Sequence, residues 1–288
     1  MIDGHLRAAS LLSALRRAPV LLSVGEVEQL EARKKEELAF HDMDRRGGKD
    51  ETCHEGNRRF YRATSPVQER LDAVLAKYAR GAVVLDYACG NGSQIARYLR
   101  HGAAAVVAID ISPVSVTTAA SRTSTEAAAG RCLVLMRDCE ATGFPEDSFD
   151  LIVCLGVLHH LDLARALAEC QRLLVPGGRL IAGEALRYNP LIHLYRMLTP
   201  QYRTDWERKH ILTKGRLARA MGTLQVEEEH CLLILSPLGT LLPGERLQAF
   251  AIRALHTVDK WLCSIPGLRW LAWQAVWVLR KPAVETAE

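Results

Sequence analysis

Asp86, Asp110, Asp138, His159, His160 and Glu184 stand at spacings that can do chemistry. Asp86 closes the apolar run Val83-Val84-Leu85 and precedes a loop of small residues, Ala88-Cys89-Gly90-Asn91-Gly92, and a helix beginning near Ser93. Glycines at 90 and 92 let backbone N–H groups approach a ligand and tolerate positive φ. The helix turns its positive end toward whatever lies there. An acid beside such donors favours a cationic ligand, and an amino-acid head with a sulfonium suits it better than a pyrophosphate. Asp110 likewise closes the run Val106-Val107-Ala108-Ile109, with Ile111 beside it. His159 and His160 follow another apolar run. A neutral imidazole, with an ordinary pKa near ~6.5, can take a hydroxyl proton at neutral pH.

These residues need a scaffold, and from Gly81 the pattern alternates between strand and helix, the mark of a parallel α/β sheet. Strands are expected at 83–86, 105–109, 132–136, 150–154 and 179–183, with helices near 93–100, 113–128 and 163–174. Ser112-Pro113 pairs a hydroxyl cap with proline at the first helical position. Pro176-Gly177-Gly178 reads as a tight turn. A helix at 213–221, a strand at 224–235, broken helix over 238–268 and a last strand before Arg280 complete the pattern. The fold class is thus α/β, a Rossmann-like seven-stranded, mostly parallel sheet with helices on both faces. Ligands of such sheets lie beyond the carboxyl ends of the strands. Ahead of the sheet, residues 26–40 read as one charged helix with a thin apolar stripe, Asp44 to Asn57 as a mobile loop, and Arg58 to Arg80 as helix with a start signal at Ser65-Pro66. Residues 1–80 form an N-terminal helical lid region in this division, and residues 81–288 the ligand-binding domain, with cap insertions at about 187–213 and 236–268.

The run Val84-Leu85-Asp86-x-x-Cys89-Gly90-x-Gly92 resembles the glycine-rich first motif of class I S-adenosylmethionine (SAM) methyltransferases, in their small-molecule, type 11-like branch. The dinucleotide fingerprint fits worse: its three glycines would fall on Ala88, Gly90 and Ser93, with an acid at 86 close to the pyrophosphate. Arg137-Asp138-Cys139-Glu140, ahead of Gly143-Phe144-Pro145, is similar to the family's Asp-Ala-Glu-x-Leu-Pro-Phe stretch. The resemblance implies that Asp138 takes the adenine amino group and that the N–H of Cys139 faces a ring nitrogen. It implies that the backbone of Cys154 to Gly156 lines the methionine part of the cofactor. It places His159 and His160 toward the substrate, either one as general base, and Glu184 where an acid can orient such a histidine. The matches run from about Val83 to Glu184 in the family's order. Cys154 lacks the neighbouring proline of a cysteine nucleophile and reads as apolar filler.

The segment Asn189 to Pro200, continuing through Arg203 to His210, is similar to an insertion in a branch acting in secondary-metabolite, glycan or lipid biosynthesis. His193, Tyr195, Arg196, Arg203 and His210 are candidates for one wall of an acceptor pocket, Tyr61 for the other, and 41–60 for a lid that excludes water. The resemblance lacks the Asn/Asp-Pro-Pro-aromatic turn of nucleic-acid amino methylation, the paired glutamates of protein-arginine enzymes and the metal cluster of the catechol type. The expectation is a small-molecule acceptor, no metal, SAM as cofactor and S-adenosylhomocysteine (SAH) as product. O-methylation of a hydroxyl on a natural product, sugar or lipid-linked intermediate leads; C-methylation of a prenylated or quinone-like ring is the alternative. A SAM-binding scaffold without methyl transfer is the reading from another class, and a dehydrogenase the third.

Composition bounds the rest. A net charge of +4, with 37 basic and 33 acidic residues, gives no concentrated basic face for nucleic acid. The eight cysteines include no Cys-x-x-Cys pair, which fits a reduced, cytoplasmic setting. Leu6, Leu11, Leu12, Leu15 and Leu22 alternate with Arg7, Arg16 and Arg17, a pattern expected to pack as an amphipathic helix on a neighbouring domain. A membrane-surface helix or transit peptide is the alternative, so peripheral membrane contact stays open, as does monomer against homodimer.

Overall fold

The computed structural model describes residues 2–46 and 60–283. Seven strands, β1 (Val83–Tyr87), β2 (Ala105–Asp110), β3 (Cys132–Met136), β4 (Phe149–Leu155), β5 (Leu174–Ala185), β6 (Gln225–Leu232) and β7 (Gln274–Arg280), form one sheet. Its order is β3-β2-β1-β4-β5-β7-β6, and only β7 runs antiparallel to its neighbours. β1 is buried along its whole length, so it is apolar on both faces until Asp86. Its side chains alternate between two cores: Val83, Leu85 and Tyr87 enter one, Val84 the other. The chain reverses its direction of growth between β1 and β4, and a cleft opens there at the strands' carboxyl ends.

Before the sheet lie α1 (Ile2–Leu15), α2 (Val24–Glu28), α3 (Ala32–Arg46) and α4 (Ser65–Tyr78). α1 packs on the sheet through Ala8, Leu12 and Leu15, spaced for one helical face. Arg7 Nη1 donates to Asp150 Oδ1 at 2.8 Å, while Asp150 Oδ2 accepts the N–H of Val83 at 2.8 Å. α4 covers the opposite face with Val67, Leu71, Val74 and Leu75. Within the α/β unit come α5 (Ile95–Arg100), α6 (Pro113–Arg122), α7 (Ser124–Ala128) and α8 (Leu163–Leu173). After β5 stand α9 (Pro190–Leu198), α10 (Asp205–His210) and α11 (Lys214–Ala220), and between β6 and β7 α12 (Ser236–Gly239) and α13 (Glu245–Leu262). Among the described residues no helix is long and apolar enough to cross a membrane.

Three local expectations change. The charged helix over 26–40 is two helices: Ser23 and Glu26 form a reciprocal capping box that starts α2, which stops at Glu28. The helix over 113–128 breaks at Thr123, whose hydroxyl bonds back to the Ala119 carbonyl at 2.8 Å. Pro176-Gly177-Gly178 lies inside β5, where the pairing with β4 shifts register between Phe149 and Leu151. A Cβ on Gly178 would meet the Val175 carbonyl oxygen at 2.8 Å, so the kink requires glycine. The expected loop from Asp44 to Asn57 lies, beyond the end of α3, outside the described residues.

Gly92 serves packing. Its φ is +74°, and an added Cβ would lie 2.8 Å from Ala119 Cβ and 3.0 Å from Ala119 Cα on α6. We expect Gly92→Ala to lower stability by about 1–3 kcal/mol, read as a fall of several degrees in the thermal midpoint. An unchanged midpoint would show that α6 does not approach this loop so closely.

Candidate active site

A cavity of about 530 Å³ occupies the cleft, and residues from β1, β4, β5, α3, α9 and α10 line it. At its β1 end Asp86 is buried, Tyr98 Oη donates to its Oδ1 at 3.1 Å, and its Oδ2 has no hydrogen-bond partner. Burial, reinforced by the charge of Asp110, pushes the Asp86 carboxyl up to about 7 despite the bond from Tyr98. Asp110 braces the glycine loop, accepting the N–H of Gly90 at 2.9 Å and that of Ser112 at 2.9 Å. Ala88 and Gly90 take φ of 61° and 56°, which curls the loop against the cavity they both line. Ile111, Asp138 and Cys139 also line it.

Asp138 is engaged from an unexpected side. Lys34 Nζ of α3 donates to its Oδ2 at 2.6 Å, and its Oδ1 accepts the Glu140 N–H at 2.9 Å. Arg33 pairs with Glu140 at 2.6 Å and stacks over Trp206, 4.5 Å from the ring centroid. Two positions do not face the cavity as expected. Gly92 packs on α6, and Cys154 sits behind the lining, which begins at Leu155 and Gly156. Burial holds the Cys154 thiol well above its ordinary range, as befits an apolar filler.

At the centre of the cavity, Glu184 ends its run along β5 almost fully buried. Its Oε1 accepts the N–H groups of Val157 at 2.8 Å and Leu158 at 2.7 Å, and its Oε2 lies 2.7 Å from His159 Nδ1. A carboxylate so placed accepts, so Nδ1 is the nitrogen that donates to it. His159 Nε2 faces Glu207 Oε1 at 4.0 Å across the lining. His160 is held differently: its Nδ1 lies 2.9 Å from Glu37 Oε2, and Glu37 also pairs with His41 Nε2 at 3.5 Å and accepts from the Thr204 hydroxyl. Burial opposes the charged form of His160, but the hydrogen bond it donates to Glu37, with Glu207 and Glu184 nearby, wins and raises its pKa. Burial alone would raise Glu37 too, yet the bonds from His160 and His41 hold it well below the carboxylate range. The two histidines thus hang from different carboxylates, His159 from Glu184 and His160 from Glu37.

The acceptor wall is partly as expected. Tyr61, Tyr195, Arg196 and Arg203 line the cavity, Tyr61 edge-on to Trp273 at 5.6 Å and Tyr195 against Phe60 at 4.7 Å. His193 points outward from α9 and His210 stacks on Trp206 at 3.6 Å with its Nδ1 bonded to the Trp206 carbonyl; neither lines the cavity. Sequence reasoning missed Arg33, Lys34, Glu37 and His41, although a spacing of four along α3 puts Arg33, Glu37 and His41 on one face. Glu37, His41 and His160 bring ligand-type atoms within 4.8 Å of one another, a set that spacing alone did not suggest.

Residues 85–182, from within β1 to within β5, match the family model described as a methyltransferase domain. The matched stretch is a methyltransferase domain. The domain is similar to the ubiquinone/menaquinone biosynthesis C-methyltransferase UbiE of Geobacter sulfurreducens, at 32% identity over 108 residues, covering 36% of this chain and 42% of that one. It is similar, too, to the 27-O-demethylrifamycin SV methyltransferase of Amycolatopsis mediterranei, at 33% identity over 125 residues, covering 43% of this chain and 46% of that one. The chain thus spans less than half the length of these two relatives. Among solved structures, geranyl diphosphate C-methyltransferase from Streptomyces coelicolor superposes with a TM-score of 0.58 at 12% identity, over 87% of this chain and 98% of that one. The likeness is one of fold.

Proposed function

We propose that the protein is a SAM-dependent methyltransferase acting on a hydroxyl of a small molecule, with His159 as general base and Glu184 as the residue that positions it. The single observation that carries this reading is the 2.7 Å contact between Glu184 Oε2 and His159 Nδ1, made by a carboxylate already fixed by two backbone N–H groups. The residues fit a cofactor with a cationic head: Asp86 Oδ2 is buried without a partner at the rim where such a group would lie. Asp86, Ala88 and Gly90 would hold its amino-acid end, Asp110 and Ile111 its ribose and one adenine face, and Asp138 with Cys139 the far edge of the adenine. Lys34 would share Asp138 with that edge. When bound, SAM supplies an electrophilic methyl group on a sulfonium.

The chain's own task is positioning and proton removal. His159 Nε2 accepts the proton of the acceptor hydroxyl, and the imidazolium so formed is stabilised by the Glu184 carboxylate at Nδ1 and by Glu207 near Nε2. His160, pinned by Glu37, fixes α3 over the cavity and supports the short helical turn that carries both histidines. Residues 24–46 with Tyr61 serve as a lid, and the 187–213 excursion as the facing wall, which together exclude water.

A carbon acceptor on a prenylated or quinone-like ring is the second reading, favoured by the C-methyltransferase relative. The same base would then deprotonate the ring. SAM carrying a ¹³C methyl, incubated with phenolic, sugar and quinol acceptors, separates the two. We expect the new carbon signal in the region of methoxy groups. A signal in the region of methyl on carbon transfers the assignment to the second reading, and no labelled product with any acceptor, despite SAH binding, leaves a scaffold that binds the cofactor without transfer.

A further inference from the structure

We propose that Arg196 anchors an anion subsite at the acceptor end of the cavity, and that the acceptor carries a carboxylate or phosphate group which this guanidinium binds. The inference deepens the methyltransferase reading and rests on it. Arg196 stands in the last turn of α9 and lines the cavity. Its Nη1 donates to the Leu186 carbonyl at 2.9 Å. Among the described residues no carboxylate pairs with it. The other cations on the lining are matched: Arg33 with Glu140 at 2.6 Å, Lys34 with Asp138 at 2.6 Å, Arg203 with Glu207 at 3.3 Å.

The surroundings deepen the imbalance. Burial, helped by the charges of Arg203 and Arg187 against that of Glu207, lowers the Arg196 guanidinium to about 10. A partly buried cation with no carboxylate in contact is costly, and a ligand that brings the anion recovers that cost. The planar fork of a guanidinium matches the paired oxygens of a carboxylate or phosphate.

Topology decides which end of the reaction this serves. Asp86 and Asp110 close β1 and β2, while Arg196 reaches Leu186, two residues beyond Glu184 at the end of β5. β4 separates β1 from β5, and the His159–Glu184 pair lies between the cofactor rim and Arg196. The anion therefore belongs to the acceptor, on the far side of the base from the carboxylates that face the cofactor.

Calorimetric titration of inorganic pyrophosphate, in low-chloride buffer, into the protein alone and into the protein saturated with SAH tests this. We expect the wild type to bind pyrophosphate in both forms. Arg196→Gln should weaken that binding about tenfold or more, Arg196→Lys should retain part of it, and both variants should bind SAH as the wild type does. Equal pyrophosphate affinity in wild type and Arg196→Gln, or no binding to the wild type, overturns the subsite. A loss of SAH affinity in Arg196→Gln and Arg196→Lys would make the anion the cofactor's own carboxylate, which overturns the acceptor assignment. Failure of SAH to bind the wild type is a separate result, and it counts against the methyltransferase reading itself.

Discussion

His159→Ala is expected to lower methyl-transfer turnover by about 10²–10⁴-fold while leaving SAH affinity unchanged. The imidazole touches neither Asp86 nor Asp110, so its removal spares the cofactor rim and strips only the proton acceptor. Glu184→Gln should be almost as severe for a different reason. The amide oxygen can still accept the N–H groups of Val157 and Leu158, so the turn keeps its shape. The amide NH₂ would then face His159 Nδ1, which must become the acceptor, and Nε2 would carry the proton where a lone pair is needed. Because base and orienter act as one unit, the double variant should lose little more than either single one. His160→Ala should act through the pairing with Glu37, as loosened α3 and lower thermal stability more than as lost chemistry. Single-turnover rates and SAH titrations on the four variants check the set. A His159→Ala enzyme with full turnover would remove the base from the account.

The second large effect belongs to Asp86. Its folded pKa of about 7 lies above the ordinary 3.8. Between those values the folded chain holds a proton that the unfolded chain has released, so the stability of the free protein falls as pH rises through that window, by a few kcal/mol in all. A ligand that brings an ammonium to Asp86 Oδ2 favours the ionised form. Binding below about pH 7 must then expel the proton, and affinity should drop by up to about tenfold for each unit of pH below that point. Asp86→Asn removes both behaviours. We expect a higher thermal midpoint for the free protein at pH 8, SAH affinity weaker by about 10–100-fold, and a flat affinity between pH 6 and 8. Thermal melts and calorimetry across that range read each part.

Much of this site is legible in the chain, because buried parallel strands write themselves as unbroken apolar runs. β1, β2 and β4 fall within one or two residues of their expected bounds, and the acids that close β1 and β2 mark the rim directly. Glu184 and His159 meet because β5 runs beside β4, with Leu155 opposite Gly183. What escaped the reading obeys a different rule. An amphipathic helix is expected to turn its charges to water, but α3 turns Arg33, Lys34 and Glu37 inward, and each finds its opposite charge there: Glu140, Asp138 and His160. No pattern within residues 32–46 announces those partners, which lie more than a hundred residues away. His193 and His210 failed for the converse reason: a residue type rich in chemistry says nothing of which face of a short helix is buried, and α9 turns Ile192 and Arg196 inward instead. Glu207, four residues after Arg203 and now facing His159, became visible only once α10 was folded over the cleft.

The claim beneath all of this is that the β1–β2 rim holds a nucleoside with a cationic amino-acid tail. Calorimetric titration of SAH into the folded wild-type protein at pH 8 is the most direct test. Saturable one-to-one binding that weakens in Asp86→Asn is the predicted result, and no heat at millimolar SAH from a protein that melts cooperatively would contradict it.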